Sequence, residues 1–136
     1  MLTIDQSTYD EIVAHARRDH PDEACGLVAG REGRPTRVIP MTNAARSPTF
    51  YEMDPLEQLR VFRDIDDAGE DLMVIYHSHT ATEAYPSRTD ITIAGYPDAH
   101  YVLVSTRYAD EEEFRAFRIV DGVVTEEPVT VVAGRE

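Results

Sequence analysis

The feature that most constrains this chain is a short apolar run that ends in two histidines. Leu72 to Tyr76 is apolar throughout, which is typical of a strand covered on both faces of a sheet, and His77-Ser78-His79 follows directly. Alternate residues of a strand point to the same side, so we expect His77 and His79 to present both imidazoles to one point at the strand end. The chain is therefore expected to fold around a buried strand that terminates in these two side chains.

A carboxylate that can join the two imidazoles follows eleven residues later. Asp90 opens the next helical pattern, close behind the end of the predicted strand. Two imidazoles and one carboxylate form a zinc set that leaves a fourth position for water, as catalytic zinc sites do. We therefore predict one Zn²⁺ per chain, bound by His77, His79 and Asp90. Ser87 and Asp90 also fit a helix capping pattern, in which Asp90 serves the helix rather than a metal; both interpretations stay open.

The same residues carry a family resemblance. His77, His79, Ser87 and Asp90 match the H-S/T-H-x7-S-x2-D motif of the JAMM (MPN-plus) zinc metallo-isopeptidases, and the chain resembles that family over nearly its whole length. Glu23, in Pro-Asp-Glu-Ala-Cys-Gly-Leu, matches the upstream catalytic glutamate of the family. The runs 41–44, 47–51 and 77–87 look most similar to the Mec-type members, which release cysteine from the C-terminus of the sulfur-carrier protein CysO.

This resemblance implies a fold and an activity. The implied fold is α/β, a mixed β-sheet with flanking helices in the JAB/MPN (cytidine-deaminase-like) architecture, formed by a single domain over residues 1–136. The implied activity is zinc-dependent hydrolysis of the amide between cysteine and the C-terminal glycine of a ubiquitin-like sulfur-carrier protein with a Gly-Gly tail. Glu23 would act as general base and acid, and the Ser87 hydroxyl would stabilise the developing oxyanion. A leaving cysteine carries a carboxylate, for which Arg46 and Arg88 are candidate partners.

Other functions compete with this one. The same chemistry could serve a general isopeptidase that acts on other ubiquitin-like modifiers. A non-catalytic MPN scaffold is disfavoured, because such modules usually lack the metal ligands that are all present here. A zinc base deaminase would need H-x-E and P-C-x-x-C motifs, and neither occurs. Of the remaining polar residues near the motif, Ser78 is predicted to pack or hydrogen-bond away from the metal, and Glu83 to be a solvated loop acid.

Composition limits the partners and the compartment. A chain of 136 residues is large enough for one domain with its own core. The formal net charge of −13 repels nucleic acid, so a protein partner is expected instead. There is no N-terminal basic-then-apolar signal and no apolar run long enough to cross a bilayer, and the single cysteine, Cys25, cannot form an intramolecular disulfide. These observations predict a soluble cytoplasmic protein.

The hydrophobic pattern predicts an alternation of helices and strands. Helices are expected over 5–19, 54–69 and 87–94, and strands over 24–30, 36–41, 72–76, 101–105, 114–120 and 123–129. In the second helix, Leu56, Leu59, Phe62 and Ile65 are expected to face inward. Residues 43–53 are polar and irregular and too long for a tight connection, so we expect a binding loop there.

Overall fold

A six-stranded mixed sheet lies at the centre of the computed structural model, which describes residues 1–133. In chain order the elements are β1 (Leu2–Asp5), α1 (Gln6–Asp19), β2 (Cys25–Arg31), β3 (Arg34–Met41), α2 (Pro55–Asp67), β4 (Asp71–His79), α3 (Arg88–Ile93), β5 (His100–Ser105), β6 (Glu113–Val120), β7 (Val123–Glu127) and β8 (Val129–Val132). The large sheet has the order β3-β2-β4-β5-β6-β7, with β4 and β5 parallel and every other neighbouring pair antiparallel. The predicted fold class, a mixed sheet with flanking helices, is confirmed.

The two ends of the described chain form a second, two-stranded sheet that sequence patterns did not predict. β1 pairs in parallel with β8, with Leu2 opposite Val129. The strand predicted over 123–129 was wrong at its end, because Pro128 separates β7 from β8. Proline has no N–H to donate to a ladder, so the chain leaves the large sheet there and continues beside β1.

One face of the large sheet packs against α1 and β1. Val74 and Tyr76 of β4 point to this face and join a buried apolar cluster with Ile12 and Ala16 of α1. The Tyr76 hydroxyl lies 2.6 Å from Nδ1 of buried His15, which gives the phenol a polar partner inside the core. Packing on this face therefore holds β4 in place, while its histidines lie on the opposite face.

The other face packs against α2 and carries the histidines. Ile75 points to this side, in a cluster with Leu27 and partly buried Phe62, and His77 and His79 continue the same alternation to the strand end. The strand prediction around the motif is thus confirmed.

The expectation that all four apolar residues of α2 face inward was wrong. Ile65 is buried and Phe62 partly buried, but Leu56 is 73% exposed and Leu59 56% exposed. The helix packs apolar side chains on the sheet through its C-terminal half, whereas in its first turn Glu57 accepts a hydrogen bond from the backbone N–H of Thr42 at 2.9 Å. Within residues 1–133, no helix combines the length and the apolar character needed to cross a membrane.

Candidate active site

The predicted ligand residues meet where β4 ends and α3 begins. Nε2 of His77 lies 3.1 Å and Nε2 of His79 3.0 Å from the same Asp90 oxygen, Oδ2. One ligand atom from each residue lies within 4.8 Å of the other two. Three potential metal donors therefore converge on one point just past the end of the strand.

The unsatisfied nitrogens of His77 suit a metal. Both ring nitrogens are buried and lack a hydrogen-bond partner among the described residues. Nε2 lies close to Asp90, but the angle between the two groups is unsuitable for a hydrogen bond. Burial lowers the pKa of His77, so the ring is neutral and keeps a lone pair. A buried polar atom without a partner costs free energy, which a metal ion bound at Nε2 would remove. Neutral imidazoles with one carboxylate are ligands that zinc accepts.

His79 is held in the orientation that a ligand needs. Its Nδ1 lies 2.9 Å from the carbonyl oxygen of Glu83, which can only accept, so Nδ1–H donates and Nε2 faces Asp90. Burial lowers the pKa of His79, but the hydrogen bonds to Asp90 and to this carbonyl outweigh it, and the net shift is upward. The Glu83 side chain is 61% exposed, which confirms the prediction of a solvated loop acid. It is the main chain of Glu83, rather than its carboxylate, that serves the site.

Asp90 takes part both in the helix cap and in the cluster of potential metal donors, the two interpretations that the sequence left open. The Ser87 hydroxyl accepts from the backbone N–H of Asp90 at 3.1 Å, and Asp90 Oδ2 accepts from the backbone N–H of Ser87 at 2.9 Å, which completes a capping box at the start of α3. The oxygen that serves the cap is the one that both imidazoles face. Burial raises the pKa of Asp90, but the two imidazoles and the cap hold it well below its usual range, so the group is ionised.

Glu23 lies just before β2 and is only 5% exposed. Its backbone N–H donates to the carbonyl oxygen of Ser47 at 2.9 Å, so the residue is fixed from the main chain. Burial raises the pKa of Glu23 to about 7; His79 opposes this shift and Asp90 adds to it. The carboxyl group can therefore take up and release a proton near neutral pH.

Ser78, in β4, hydrogen-bonds to Ala24, the residue after Glu23. Its buried hydroxyl accepts from the backbone N–H of Ala24 at 2.8 Å, and its own N–H donates to the carbonyl oxygen of Ala24 at 3.0 Å. The prediction that Ser78 serves in hydrogen bonding is confirmed, and its partner is the main chain of Ala24. These bonds set the position of Glu23 relative to the two histidines.

Asn43 holds the loop beside Glu23, a function that sequence analysis missed. Its side-chain amide donates to the carbonyl oxygens of Glu23 and Phe50, each at 3.0 Å. Its side-chain oxygen accepts from the backbone N–H groups of Ala45 at 3.0 Å and Glu52 at 3.1 Å. One nearly buried amide thus replaces regular backbone pairing in the irregular segment and ties it to the main chain of Glu23. Its only signal in the sequence was an asparagine at the start of a long loop.

Tyr51, from the same loop, covers His77. The two rings are stacked, with centroids 4.4 Å apart and planes inclined by 29°. The contact restricts the orientation of the imidazole, which has no hydrogen bond to restrict it. No periodicity in residues 43–53 indicated which side chain turns inward.

The two candidate arginines lie apart. Arg88 is the first residue of α3 and is exposed, and Arg46 is exposed in the loop that Asn43 holds.

Comparison with known proteins gives consistent matches. Residues 5–120 match the family described as prokaryotic homologs of the JAB domain. The chain is 66% identical over 134 residues to the CysO-cysteine peptidase of Mycobacterium tuberculosis, covering 97% of this chain and 92% of that protein. It is 35% identical to the desampylase of Haloferax volcanii over 76% of this chain and 80% of that protein. The solution structure of a Desulfitobacterium hafniense protein is similar with a TM-score of 0.88 and 35% identity, covering 100% of this chain and 96% of that chain.

Proposed function

Because the chain belongs to the family of prokaryotic homologs of the JAB domain, we propose that it is a metallopeptidase acting on a ubiquitin-like sulfur-carrier protein. The bond cleaved is the amide between the C-terminal glycine of the carrier and cysteine. The 66% identity to a CysO-cysteine peptidase, over nearly the full length of both chains, supports this substrate. The single structural observation that carries the proposal is the convergence of three metal donors beside a buried carboxyl group that titrates near neutral pH.

The proposed metal is zinc, held by His77, His79 and Asp90. The buried nitrogens of His77 and the shared oxygen of Asp90 support this set. When bound, zinc supplies Lewis-acid chemistry, which polarises a carbonyl and acidifies water. Proton transfer and stabilisation of the developing charge are left to the protein's own side chains.

In the proposed reaction Glu23 moves the proton. It accepts a proton from the attacking water and delivers it to the leaving nitrogen when the C–N bond breaks, and a pKa of about 7 suits both steps. The Ser87 hydroxyl accepts from the backbone N–H of Asp90, so its own hydrogen remains available for the oxygen on which negative charge develops. The preferred tail is a Gly-Gly C-terminus, since glycine lets an extended backbone pass close to the site.

The test is intact mass spectrometry of a purified carrier–cysteine conjugate incubated with the protein, with and without a chelator. We expect the carrier to lose the mass of one cysteine residue, and chelator to abolish this loss. Elemental analysis should find one zinc per chain, and clearly less in His77→Ala and Asp90→Ala proteins. An unchanged conjugate in the presence of metallated protein would reject the proposed substrate.

A broader isopeptidase is the second candidate, and the 35% identity to a desampylase favours it specifically. A parallel incubation with a carrier joined to a lysine side chain separates the two. The cysteine-specific enzyme should leave that conjugate largely intact, whereas a general isopeptidase should cleave both at similar rates.

A further inference from the structure

Two cavities of different character flank the candidate site. One, of about 350 Å³, is mainly apolar and is lined by His77 and Asp90 among aromatic and aliphatic side chains. The other, of about 460 Å³, is polar, and Glu23 lies in its wall together with Arg18 and Arg46. Two of the metal donors, His77 and Asp90, thus line one cavity, and Glu23 lines the other.

The loop held by Asn43 contributes to the walls of both cavities. Phe50 and Tyr51 contribute to the apolar cavity, while Asn43 and Arg46 contribute to the polar one. Because Asn43 bonds to the main chain of both Glu23 and Phe50, the two walls are fixed relative to each other. A substrate that spans the site can therefore place one side of its scissile bond in each cavity.

The chemistry of hydrolysis indicates which cavity takes the leaving group and which takes the acyl side of the scissile bond. Water adds to the carbonyl carbon, the C–N bond breaks, and the proton that Glu23 holds has to reach the leaving nitrogen. The leaving group must then lie within reach of Glu23, and Glu23 lines the polar cavity. The carrier's acyl side is left with the apolar cavity.

Within the polar cavity, one cation is not already engaged. Arg18 lies 3.3 Å from Asp19, whose other oxygen lies 3.0 Å from His15. The Arg46 guanidinium has no hydrogen bond or ion pair with any residue in 1–133. The backbone of Arg46 has a φ of 47°, a region that residues with side chains rarely adopt, and its N–H bonds to the carbonyl oxygen of Asn43 at 3.1 Å. Among residues 1–133, Arg46 is thus an exposed cation without an ion pair in the wall of a cavity that Asp19, Asp22 and Glu23 also line.

We propose that Arg46 binds the α-carboxylate of the leaving amino acid in the polar cavity and so selects a free amino acid over an internal amine. This inference rests on the proposed function, because it assigns a residue to the recognition of its leaving group. Arg46 is a specificity residue rather than a catalytic one, since it touches the substrate away from the reacting atoms. Arg88, the other candidate, lines neither cavity.

The experiment compares two conjugates, carrier–cysteine and carrier–cysteinamide, which differ only in the charge of the terminal carboxyl group. Wild-type holoenzyme should cleave the cysteine conjugate with a kcat/KM at least about tenfold higher, in the range of a charge-assisted hydrogen bond. Arg46→Gln should lower the kcat/KM for cysteine to about the value for cysteinamide and leave the cysteinamide value nearly unchanged. Arg46→Lys, which keeps the charge, should recover part of the preference.

Arg88→Gln tests the competing residue, and Arg63→Gln, an exposed change of the same kind on α2, is the matched control. Both should keep the wild-type preference. An equal loss on both conjugates in Arg46→Gln, a preference that disappears in Arg88→Gln instead, or a wild-type enzyme without preference would each overturn the role of Arg46 while leaving the hydrolase intact. Failure of wild-type holoenzyme to cleave either conjugate would overturn the proposed function itself, and this inference with it.

Discussion

At the scale of single residues, Asp90 joins the fold to the site. One of its oxygens caps α3 and also faces His77 and His79 at about the distance of a hydrogen bond. A side chain fixed by a capping box loses little further rotamer freedom on binding a metal, so the cap would favour Asp90 as a ligand of the proposed zinc. Substitutions in the capping box should therefore affect both the free energy of unfolding and kcat, and the two effects can be measured separately.

Ser87→Ala should separate the two contributions. Loss of the cap is expected to cost about 1 kcal/mol of unfolding free energy. Loss of the oxyanion donor is expected to lower kcat about 10²–10³-fold in metallated, folded protein assayed well below its melting temperature. The matched control is Asp54→Ala, which removes the cap of α2, where Asp54 accepts from the N–H groups of Leu56 and Glu57. The control should lose similar stability and keep kcat; a loss below about tenfold in Ser87→Ala would leave that residue with a capping function alone.

Glu23→Gln should keep the fold and the zinc but lose turnover. The amide has the shape of the carboxylic acid but cannot carry the proton, and general acid–base groups contribute roughly 10²–10⁴-fold to rate. Zinc content, circular dichroism and kcat measured on the same preparation test this. Glu83→Gln, an exposed acid near the site, is the control and should retain kcat. A fully metallated Glu23→Gln enzyme with near-normal kcat would contradict the assignment.

At the scale of elements, the sequence best predicted features that depend on residues close together in the chain. The β4 strand, its histidines and the capping box depend on spacings within twenty residues, and all appear where the pattern placed them. The β1–β8 pairing joins chain segments more than 120 residues apart, and a four-residue strand carries too little pattern to reveal it. The Tyr51–His77 stacking and the Asn43 bonds depend on how an aperiodic loop folds back, which no periodicity encodes.

The antiparallel pairing of β2 with β4, in which Gly26 lies opposite Tyr76, provides a prediction about packing. A Cβ added at Gly26 would lie 2.2 Å from the ring of Tyr76, a contact that the buried phenol cannot relieve without moving. We expect Gly26→Ala to lower the unfolding free energy by about 1–3 kcal/mol, as overpacking of a core does. Urea denaturation measures the change.

The control for this prediction is Gly95→Ala. A Cβ at that position would meet nothing closer than 3.9 Å, and the backbone there does not need glycine. It should leave stability within about 0.5 kcal/mol of wild type. Equal midpoints for the two variants would show that the Tyr76 ring can move to admit the methyl group.

At the scale of the whole molecule, buried titratable groups connect folding to pH. His15 lies inside the α1 face, between the Tyr76 hydroxyl and Asp19. Burial lowers the pKa of His15 below its ordinary value of 6.5; Asp19 opposes this shift and Arg18 adds to it. The unfolded chain therefore takes up this proton more readily than the folded protein, so His15 should reduce stability as pH falls below about 6.5 and have no such effect well above it.

The pH dependence of His15 can be isolated by difference. In His15→Gln this titration is gone, whereas every other ionisable group is common to both proteins, so the difference between them isolates His15. The wild type should be the more stable protein at pH 8, because it keeps the bond to Tyr76, and its advantage should shrink as the pH is lowered to 5.5. Urea midpoints across that range measure it. An advantage that stays constant on acidification would mean that folding does not change the pKa of His15, and one that grows would mean that folding raises it; either result would contradict the prediction.

The proposed zinc should act on the stability of the entire fold as well as on catalysis. An ion that binds only the folded state adds RT ln(1 + [Zn]/Kd), about 4.1 kcal/mol when free zinc is a thousandfold above Kd. For a chain of this size that corresponds to a melting temperature roughly 10 °C higher or more. Chelator should therefore lower the melting temperature of wild-type protein and leave that of His77→Ala unchanged, because the variant has already lost a ligand. His20→Ala, which removes a histidine bonded to Thr106 outside the metal centre, should still respond to chelator as wild type does. If chelator shifts His77→Ala as much as wild type, the stabilising ion binds elsewhere, and the convergence of His77, His79 and Asp90 would need another explanation.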